Sequence, residues 1–427
     1  MEYSAPESSP HPSFQKPAET NMKIFFSVGE PSGDLHGANL IRELRKLHPD
    51  VECVGYGGPK MVKAGFVLHE DLTKLALMWV LRVVLNIHKF WNLLQRADRY
   101  FSENQLDAVV LIDYPGFNWW IARKAKKHKV PVFYYGAPQM WGWAPWRIKK
   151  MKRLVDHVLC KLPFEEKWYS DRGCKATFVG HPYFDEMHQQ TLDSEFINQY
   201  SEDHRPLITI LPGSRTQEVT RNLKWFLKTA AKVREQLPDI RFAIASFNKK
   251  QAIIARCECE AADIQADVFV GRTPELVSMA RCCMACSGSV SLELLYNLKP
   301  TVILYQIRRV DWVIQALIRQ VKYITLVNLL YTKDIRATSV QLFDPDATGA
   351  ERVPFPEYVS FDDKSSQMAS HIHLWATSDQ ELANRVEQLR ELKSRFCIPG
   401  ASRTAAEYIT RELEVSLNTT RRISIAA

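Results

Sequence analysis

The chain has 427 residues, of which 46% are hydrophobic and 24% charged, as is typical of a soluble globular protein. This length predicts about two to three domains. Its 56 Lys and Arg residues outnumber 48 acidic residues, and the net charge of +8 favours an anionic partner. Charge alone does not distinguish phosphorylated substrates, anionic membrane and nucleic acid.

Two kinds of segment follow one another at the start of the chain. Residues 1–22 are rich in Pro, Ser and Glu and lack the basic start and apolar core of a signal peptide, so we expect a disordered tail. After it, the apolar runs KIFFSV, DAVVLID, VPVFYYG and HVLCKLPF alternate with amphipathic stretches. Such runs separated by helices are typical of a parallel sheet covered on both faces. We therefore predict a doubly wound α/β domain over 23–187.

The alternation pauses in a polar stretch from about 185 to 205 and then restarts. The second series of strands is PLITILPGS, RFAIASF, ADVFVG, CCMACSGS and TVILYQI. No period of about 20–50 residues repeats, which excludes a solenoid. We predict a second doubly wound domain over 188–380, and helices over 381–415 that could pack on either domain.

Two long apolar segments begin at Leu75 (LALMWVLRVVLNIHKFWNLLQ) and at Val310 (VDWVIQALIRQVKYITLVNLLY). Each is interrupted by Arg or Lys, so neither offers the roughly 18 uncharged residues of a membrane-spanning helix. Basic residues and Trp suit a helix that lies in a membrane interface. For the first segment, a buried helix is the alternative.

Nine cysteines do not predict a disulfide framework, because a chain of this size has enough core without cross-links. Cys257-x-Cys259 and Cys283-x-x-Cys286 do not form two finger-like pairs, so we predict no metal site. We expect buried, reduced thiols in a reducing cytoplasm.

The loop after the first strand carries acids and lacks a phosphate cradle. Its glycines recur every fourth residue, unlike the G-x-G-x-x-G of a dinucleotide loop; they are Gly29, Gly33 and Gly37. Carboxylates at the carboxyl ends of parallel strands face the ligand, where they can accept hydrogen bonds from sugar hydroxyls or take a proton. Glu30, Asp34 and, after a later strand, Asp113 occupy such positions, although Asp34 could cap a helix and Asp113 could make a turn. We predict an acceptor side formed by Glu30, Ser32, Gly33 and Asp34.

The second domain opens with ITILPGSRTQEV, a strand followed by a Gly-Ser turn and a helix with Glu218 in its first turn. Gly213 lets backbone approach a ligand, Ser214 can cap the helix, and Arg215 adds positive charge to the helix N-terminus. These features predict an anion site. A capped turn with a surface Arg is the alternative.

CSGSVSLELL repeats this arrangement. Ser287 and Gly288 end a strand, and Glu293 follows about one helical turn later. Two such helix ends on neighbouring strands would hold a diphosphate, and the acid could accept from a ribose hydroxyl. The pair suits a sugar nucleotide better than ATP, since the chain has neither a Walker loop nor a kinase signature.

The stretch APQMWGWAPWRIKKMKR combines Trp with basic residues. Nucleic-acid stacking, a packed loop with a solvated basic helix and a surface for anionic lipid all remain open for it.

Eight motifs, in order, resemble the lipid-A-disaccharide synthase family from about Lys23 to about Leu330. They are VGEPSGDLHG, GYGGPKMVKAG, LIDYPGFN, APQMWGWAPWR, LPFEEKWY, FVGHP, LPGSRTQEV and SGSVSLELL. The resemblance implies a GT-B glycosyltransferase with two Rossmann-like domains facing a cleft. It also implies UDP-2,3-diacylglucosamine as donor, 2,3-diacylglucosamine 1-phosphate (lipid X) as acceptor, and an inverted β-1,6 disaccharide 1-phosphate and UDP as products.

Family membership would further imply no metal or other cofactor, no nucleic-acid partner, and peripheral association with the cytoplasmic face of the inner membrane; a homodimer stays open. The family's base falls on Asp113, its phosphate-binding Arg on Arg215, and two further site residues on Asn328 and Glu357. Where the family usually has a second Asp this chain has Gly116, so the base role rests on Asp113 alone. The chain also departs from the family around 344–360.

Two other functions remain compatible with these residues. Another GT-B UDP-sugar enzyme, an epimerase or a transferase for a soluble acceptor, would share the diphosphate site but not the apolar segment from Leu75. A non-catalytic lipid-binding relative would keep that segment and be free to lose Asp113 and Arg215, both of which are present.

Overall fold

The computed structural model describes residues 22–76, 87–336, 343–345 and 347–426. The strands, in chain order, are β1 Lys23–Val28, β2 Glu52–Gly57, β3 Val67–Asp71, β4 Ala108–Ile112, β5 Val132–Tyr135, β6 His157–Cys160, β7 Ala176–Phe178, β8 Leu207–Leu211, β9 Arg241–Ser246, β10 Asp267–Val270, β11 Cys282–Cys286, β12 Thr301–Gln306 and β13 Glu357–Ser360.

The α-helices that connect and follow these strands are Pro31–Leu47, Pro59–Lys63, Leu72–Ala76, Ile87–Glu103, Pro115–Lys127, Met140–Trp143, Ile148–Leu154, Pro163–Ser170, Pro182–Gln189, Ser194–Tyr200, Thr216–Gln236, Lys249–Ala261, Thr273–Met279, Val290–Tyr296, Arg309–Ile318, Leu326–Tyr331, Ser365–Thr377, Asp379–Phe396 and Ala401–Ala426. Short 3-10 helices cover Pro145–Arg147 and Ala350–Arg352.

The strands form two sheets, as the alternation of apolar runs and helices predicted. One has seven strands in the order β3-β2-β1-β4-β5-β6-β7, and the other has six in the order β10-β9-β8-β11-β12-β13. The pairs that flank β1 and β8 are parallel. Both sheets run outward in two directions from a central pair, β1 with β4 and β8 with β11, which is the doubly wound arrangement. The α/β class and the two Rossmann-like sheets are therefore confirmed.

The chain divides into two compact units. The first contains the described residues up to Pro131 together with those from Thr410 onward, and the second is Val132–Ile409. The domain limits expected from the sequence, near 188 and 381, stay predictions.

The core of the first unit is aromatic. Phe25 and Phe26 of β1 are fully buried, and the Phe25 ring lies 4.9 Å from Phe101 and 5.3 Å from Tyr56, both edge-on. β4 (AVVLI) is buried along its whole length because helices cover both faces of a parallel sheet. This rigid centre fixes the loops that leave β1 and β4.

In the second unit the central strands β8 and β11 are also buried at every residue. Helix Thr216–Gln236 packs Leu223, Phe226 and Leu227 into one face of the sheet, and Trp375 fills the same cluster. The second sheet thus holds its strand ends as firmly as the first.

The sequence missed several strands that lie away from the centre of their sheet. β2 (ECVGYG) is interrupted by glycine, and β3 (VLHED) ends in two acids, so neither has the continuous apolar run of a central strand. The segment from Val310 is also different from the single long helix that its composition suggested. It forms helix Arg309–Ile318, a β-bridge between Val321 and Arg336, and the separate helix Leu326–Tyr331. Most of the apolar start of the Leu75 segment lies outside the described residues.

Candidate active site

The first candidate site lies at the switch point of the seven-stranded sheet, where β1 and β4 pair side by side. The loop after β1 contains Glu30, and Asp113 directly follows β4. A Cβ placed on Gly33 would lie 3.4 Å from the Oδ2 atom of Asp113. The fold therefore brings Gly33 and Asp113 together, although 80 residues of chain separate them.

The backbone at Asp113 is strained. Asp113 and Tyr114 have φ values of 48° and 43°, in the left-handed region that non-glycine residues avoid. Each such residue costs about 1–3 kcal/mol, which surrounding structure must offset. Consecutive residues of this kind at a strand end are typical of functional loops, because the strain aims a side chain that a relaxed turn would point elsewhere.

Asn118 provides much of that support. Its side chain is fully buried, and its Nδ2 donates to the carbonyl oxygens of Asp113 at 2.8 Å and of Ser27 and Ile112 at 3.2 Å. Its Oδ1 accepts from the Ser27 hydroxyl at 2.7 Å. One amide thus ties the ends of β1 and β4 to the Asp113 turn. The sequence predicted no role for this Asn of the LIDYPGFN motif, although a lone polar residue before the apolar face of a helix was an available signal.

The loop glycines are required by close packing. A Cβ on Gly29 would lie 2.4 Å from the Tyr114 ring, and one on Gly37 would lie 2.8 Å from the Met61 sulfur. The pKa of Tyr114 is raised by burial and by the negative charge of Glu30. Glu30 therefore lies within electrostatic reach of the Tyr114–Asp113 turn.

Asp34 has an internal role. It is buried, and its two carboxylate oxygens accept from the backbone N–H groups of Lys60 and Met61, each at 3.0 Å. These are first-turn donors of helix Pro59–Lys63 that would otherwise lack partners. The cap that the sequence offered as an alternative is thus present, on a neighbouring helix, while contact between Asp34 and an acceptor stays a prediction.

The second candidate site lies at the switch point of the six-stranded sheet, where β8 and β11 pair. Gly213, after β8, has a φ of 131°, and a Cβ there would lie 2.5 Å from Glu218. The Arg215 side chain is 78% exposed. A backbone conformation that favours glycine and a cation directed at solvent give the loop the features of an anion site.

Glu218 stabilises this loop by hydrogen bonds to its backbone. Its Oε2 accepts from the N–H groups of Ser214 and Arg215 at 3.1 Å each, and its Oε1 lies 3.3 Å from the Arg215 guanidinium. A carboxylate three residues into the helix that caps the preceding turn is a capping box. Glu218 therefore shapes the loop, and its predicted contact with UDP remains untested.

Two buried amides hold the same loop, and sequence reasoning missed both. Asn222 donates to the Pro212 carbonyl at 3.3 Å and accepts from the Gln306 N–H at 3.1 Å, which links the ends of β8 and β12. Gln251 donates to the Ser214 carbonyl at 2.8 Å and accepts from the Phe247 N–H at 3.1 Å, which links it to β9. Nothing in their local sequence distinguished them from solvent-facing helix residues.

The loop after β11 contains Ser287 and Gly288 beside the Gly213 loop, as predicted from the two Gly-Ser turns. Gly288 has a φ of 159°, and no described atom lies within 4 Å of a Cβ placed there, so the space over it is open. Glu293, in the following helix, is buried and its Oε2 accepts from the Tyr183 hydroxyl at 3.0 Å. Among the described residues, its Oε1 has no hydrogen-bond partner.

The electrostatics of Glu293 follow from this burial. Desolvation raises the pKa of its carboxyl, the Tyr183 hydrogen bond opposes that increase, and Glu275 adds to it. A buried oxygen without a partner is costly unless a ligand or water supplies a donor. Glu293 is therefore the one predicted donor-site acid in the described chain that has an unused buried oxygen.

Asn328 and Glu357 form hydrogen bonds to each other and to nearby backbone groups. Glu357 accepts from the N–H groups of Ile324 and Thr325 and from Asn328 Nδ2, all at 2.9–3.0 Å. Asn328 also exchanges two hydrogen bonds with the backbone of Phe355. Both side chains are buried, so they fix the approach to helix Leu326–Tyr331, while direct contact with a nucleotide stays a prediction.

Over the described ranges, no group of three or more His, Cys, Asp or Glu side chains is arranged to hold a metal ion. Burial raises the pKa of the Cys283 and Cys286 thiols to about 12. Within the same described residues, no helix is long and apolar enough to cross a membrane.

Comparison with known proteins identifies relatives over most of the chain. A family described as lipid-A-disaccharide synthetase matches residues 24–390. A lipid-A-disaccharide synthase of Coxiella burnetii is 33% identical over 336 residues, which cover 77% of this chain and 86% of the relative. The enzyme of the same name from Syntrophus aciditrophicus is 30% identical over 389 residues, or 90% of this chain and 97% of the relative.

Solved structures with the same fold are more distant in sequence. An S. aureus MnaA structure with UDP aligns with a TM-score of 0.61 and 12% identity, covering 93% of this chain and 97% of that one. A Neisseria meningitidis UDP-GlcNAc 2-epimerase bound to UDP-GlcNAc aligns with a TM-score of 0.59 and 13% identity, covering 91% and 100%. A glycotransferase of kitacinnamycin aligns with a TM-score of 0.55 and 13% identity over 92% of this chain and 99% of that one. At these identities the similarity concerns the fold.

Proposed function

This chain belongs to the lipid-A-disaccharide synthetase family, and from that membership we propose the reaction and the role of each site residue. The enzyme is a glycosyltransferase of lipid A biosynthesis. It transfers 2,3-diacylglucosamine from UDP-2,3-diacylglucosamine to the primary hydroxyl of 2,3-diacylglucosamine 1-phosphate. The observation that carries the site assignment is that the predicted base and the predicted anion loops each follow a central strand at a switch point.

Asp113 is the general base in this proposal. Its carboxylate takes the proton of the acceptor hydroxyl as that oxygen attacks the anomeric carbon of the donor. The new carbon–oxygen bond forms while the bond from the anomeric carbon to the phosphate oxygen breaks, and UDP leaves with the electron pair. A single displacement of this kind inverts the anomeric centre. Such general-base assistance contributes about a hundred- to ten-thousand-fold to rate.

The Gly213 loop and the Ser287–Gly288 loop hold the departing UDP. Arg215 is the preferred phosphate ligand, because its guanidinium is exposed and can bind two phosphate oxygens at once. The helix ends after Ser214 and Ser287 add partial positive charge where negative charge develops on the leaving group. Glu218 keeps the first loop in the required shape.

Glu293 binds the ribose in this scheme. Its Oε2 is held by Tyr183, and its Oε1 remains for a hydroxyl donor from the ligand. Asn328 and Glu357 support the site indirectly, because they fix the backbone that leads into helix Leu326–Tyr331.

On the acceptor side, we assign the sugar contacts to Glu30 and Ser32, which lie in the first turn after β1. Asp34 and Gly33 maintain the turn, Asp34 by capping helix Pro59–Lys63 and Gly33 by leaving room beside Asp113. Both substrates carry acyl chains, so we propose that the enzyme works peripherally at the cytoplasmic face of the inner membrane.

The comparisons do not favour the epimerase alternative, because solved UDP-GlcNAc 2-epimerases share only the fold, at TM-scores of 0.57–0.59 and 11–13% identity. The two functions differ in their need for an acceptor. Incubation of the purified chain with UDP-2,3-diacylglucosamine, with and without lipid X, followed by mass spectrometry, separates them. We expect the disaccharide 1-phosphate and UDP only when both lipids are present. Conversion of the donor alone to an isomeric UDP-sugar would favour the epimerase.

A further inference from the structure

One helix of the second unit has an apolar face that is exposed to solvent. Helix Arg309–Ile318 exposes aliphatic side chains at the spacing i, i+3, i+4 and i+7; they are Val310 (68% exposed), Val313, Ile314 and Leu317 (72%). This spacing places all four on one face of a helix. Contiguous exposed apolar faces are rare on soluble proteins and mark contact surfaces.

The opposite side of this helix is anchored. The Trp312 ring contacts Phe361 edge-on at 5.8 Å, and the Arg309 guanidinium lies 5.2 Å from the centre of the same ring. The exposed face is therefore presented by a helix that is fixed from behind. At ten residues the helix is about 15 Å long, too short to cross a bilayer but sufficient to lie along its surface.

A second apolar element lies next to the end of the helix. The Gln320 N–H, two residues past Ile318, donates to the Gly142 carbonyl at 2.9 Å. Gly142 directly precedes Trp143, and both Trp143 and Trp146 (62%) are exposed. Trp residues are enriched where protein meets the headgroup region, because an indole is apolar yet can donate a hydrogen bond.

The charge around these elements has one predominant sign. Arg308 and Arg309 begin the helix, and the Arg147 guanidinium stacks 4.8 Å from the Trp143 ring. Lys149, Lys152 and Arg153 are also exposed in the helix that follows. Residues 137–155 contain no Asp or Glu, and helix Arg309–Ile318 contains one, Asp311. Basic residues beside an apolar face favour a surface that carries negative charge.

We propose that helix Arg309–Ile318 and the Trp143–Trp146 loop form one docking surface for an anionic lipid bilayer. This inference rests on the proposed function, because a transferase whose two substrates are acylated must meet them at a membrane. The aliphatic face enters the boundary between headgroups and acyl chains, and the Arg and Lys side chains contact lipid phosphates. The surface belongs to the unit that holds the UDP site, so it keeps that unit at the membrane while the donor is bound.

Flotation of the full chain with vesicles tests the proposal. The vesicles contain phosphatidylethanolamine and phosphatidylglycerol, and phosphatidylcholine vesicles serve as the neutral comparison. The double variant Val313→Asp, Leu317→Asp should partition at least about tenfold less than the wild type, since two aliphatic side chains no longer leave water. Ile253→Asp, Ile398→Asp changes two exposed aliphatic residues elsewhere on the same unit and should float normally. Thermal unfolding of both variants checks that the fold is intact.

A charge variant separates the electrostatic part. Lys149→Glu, Lys152→Glu should weaken binding to the anionic vesicles and leave the small neutral-vesicle binding unchanged. Added salt should reduce wild-type binding to anionic vesicles in the same way.

The outcomes distinguish this surface from the catalytic proposal. Loss of flotation with turnover retained in detergent micelles supports the docking surface. Flotation of the Val313→Asp, Leu317→Asp variant at the wild-type level overturns it. The proposal is also overturned if the wild type sediments as a dimer and this variant alone sediments as a monomer, because the face would then join two copies. A wild type that floats but forms no disaccharide in micelles refutes the proposed function and leaves the docking surface standing.

Discussion

Asp113 is positioned by its neighbours against the ordinary preference of its backbone. The left-handed conformation at Asp113 and Tyr114 is held by Asn118, which joins three carbonyl oxygens, and by the packing of Tyr114 against Gly29. The acid itself is therefore only part of the site. In the proposed mechanism, the orientation of this base depends on the buried Asn118 amide, which donates to the Asp113 carbonyl.

Replacement of Asp113 by Asn should lower turnover about a hundred- to ten-thousand-fold, because an amide cannot take the acceptor proton. UDP affinity, measured by calorimetry, should be unchanged, since the phosphate loops are on the other sheet. Asp50→Asn, in an exposed turn, is the matched control and should keep wild-type turnover. Near-native activity of Asp113→Asn would rule out this base.

At this scale the sequence identified residues but not their partners. Gly33, Asp113, Gly213 and Gly288 were predicted as site residues because glycine and acids at strand ends have few structural uses. The contacts of Asp34 with Lys60 and Met61 join residues 26 positions apart or more, and those of Asn328 with Glu357 join residues 29 apart. A single sequence contains no record of such pairs, so capping and ligand binding by an acid look the same until the chain is folded.

Two glycines at the ends of neighbouring strands should respond to substitution in opposite directions. Gly29→Ala places a methyl group 2.4 Å from the Tyr114 ring, and we expect a loss of about 1–3 kcal/mol in unfolding free energy, together with lower turnover. Gly116→Ala meets no described atom within 4 Å and lies in helix Pro115–Lys127, where alanine is preferred over glycine by about 0.5–1 kcal/mol. Urea unfolding of both variants tests this contrast. Equal effects would contradict the close packing of the first loop.

Glu293, in helix Val290–Tyr296, should make the unfolding free energy depend on pH. Burial raises the pKa of this carboxyl above its usual 4.5, the Tyr183 hydrogen bond lowers it, and Glu275 raises it. The folded chain then keeps a proton that the unfolded chain loses, so this contribution to stability is complete below the unfolded pKa and is lost as pH rises through the folded pKa.

Glu293→Gln removes that dependence. We expect the unfolding free energy of the variant to equal that of the wild type at about pH 4 and to be higher than that of the wild type at pH values above the folded pKa. UDP should bind about tenfold more weakly, because a neutral oxygen accepts from ribose less strongly than a carboxylate. A variant that loses stability at every pH and keeps full UDP affinity would show that Glu293 is a structural residue alone.

Central strands were predicted well, whereas the edge strands β3, β7 and β13 were missed. A strand buried on both faces must be continuously apolar, so β1, β4, β8 and β11 were evident in the sequence. Edge strands such as β3 bury less surface and tolerate acids. The break after Ile318 also escaped the pattern, because Arg319 is buried with its guanidinium donating to the carbonyl oxygens of Val321 and Lys322, and hydropathy counts any Arg as exposed.

The whole molecule contains two doubly wound sheets, and we propose a separate task for each. In the proposed mechanism, the first sheet supplies the base and the acceptor contacts, and the second supplies the phosphate and ribose contacts. The sequence predicts this division, because acids follow strands of the first series and Gly-Ser turns follow strands of the second. Hydrogen bonds that hold those loops in place, from Asn118, Asn222 and Gln251, became visible only in the folded chain.

The stereochemistry of the product is the sharpest test of the proposed displacement. A single displacement assisted by Asp113 requires inversion at the anomeric carbon of the transferred sugar. Proton NMR of the disaccharide formed from UDP-2,3-diacylglucosamine and lipid X should show one new glycosidic bond, β-configured, to the primary hydroxyl of the acceptor. An α-configured bond, or UDP released with no disaccharide formed, would contradict this mechanism.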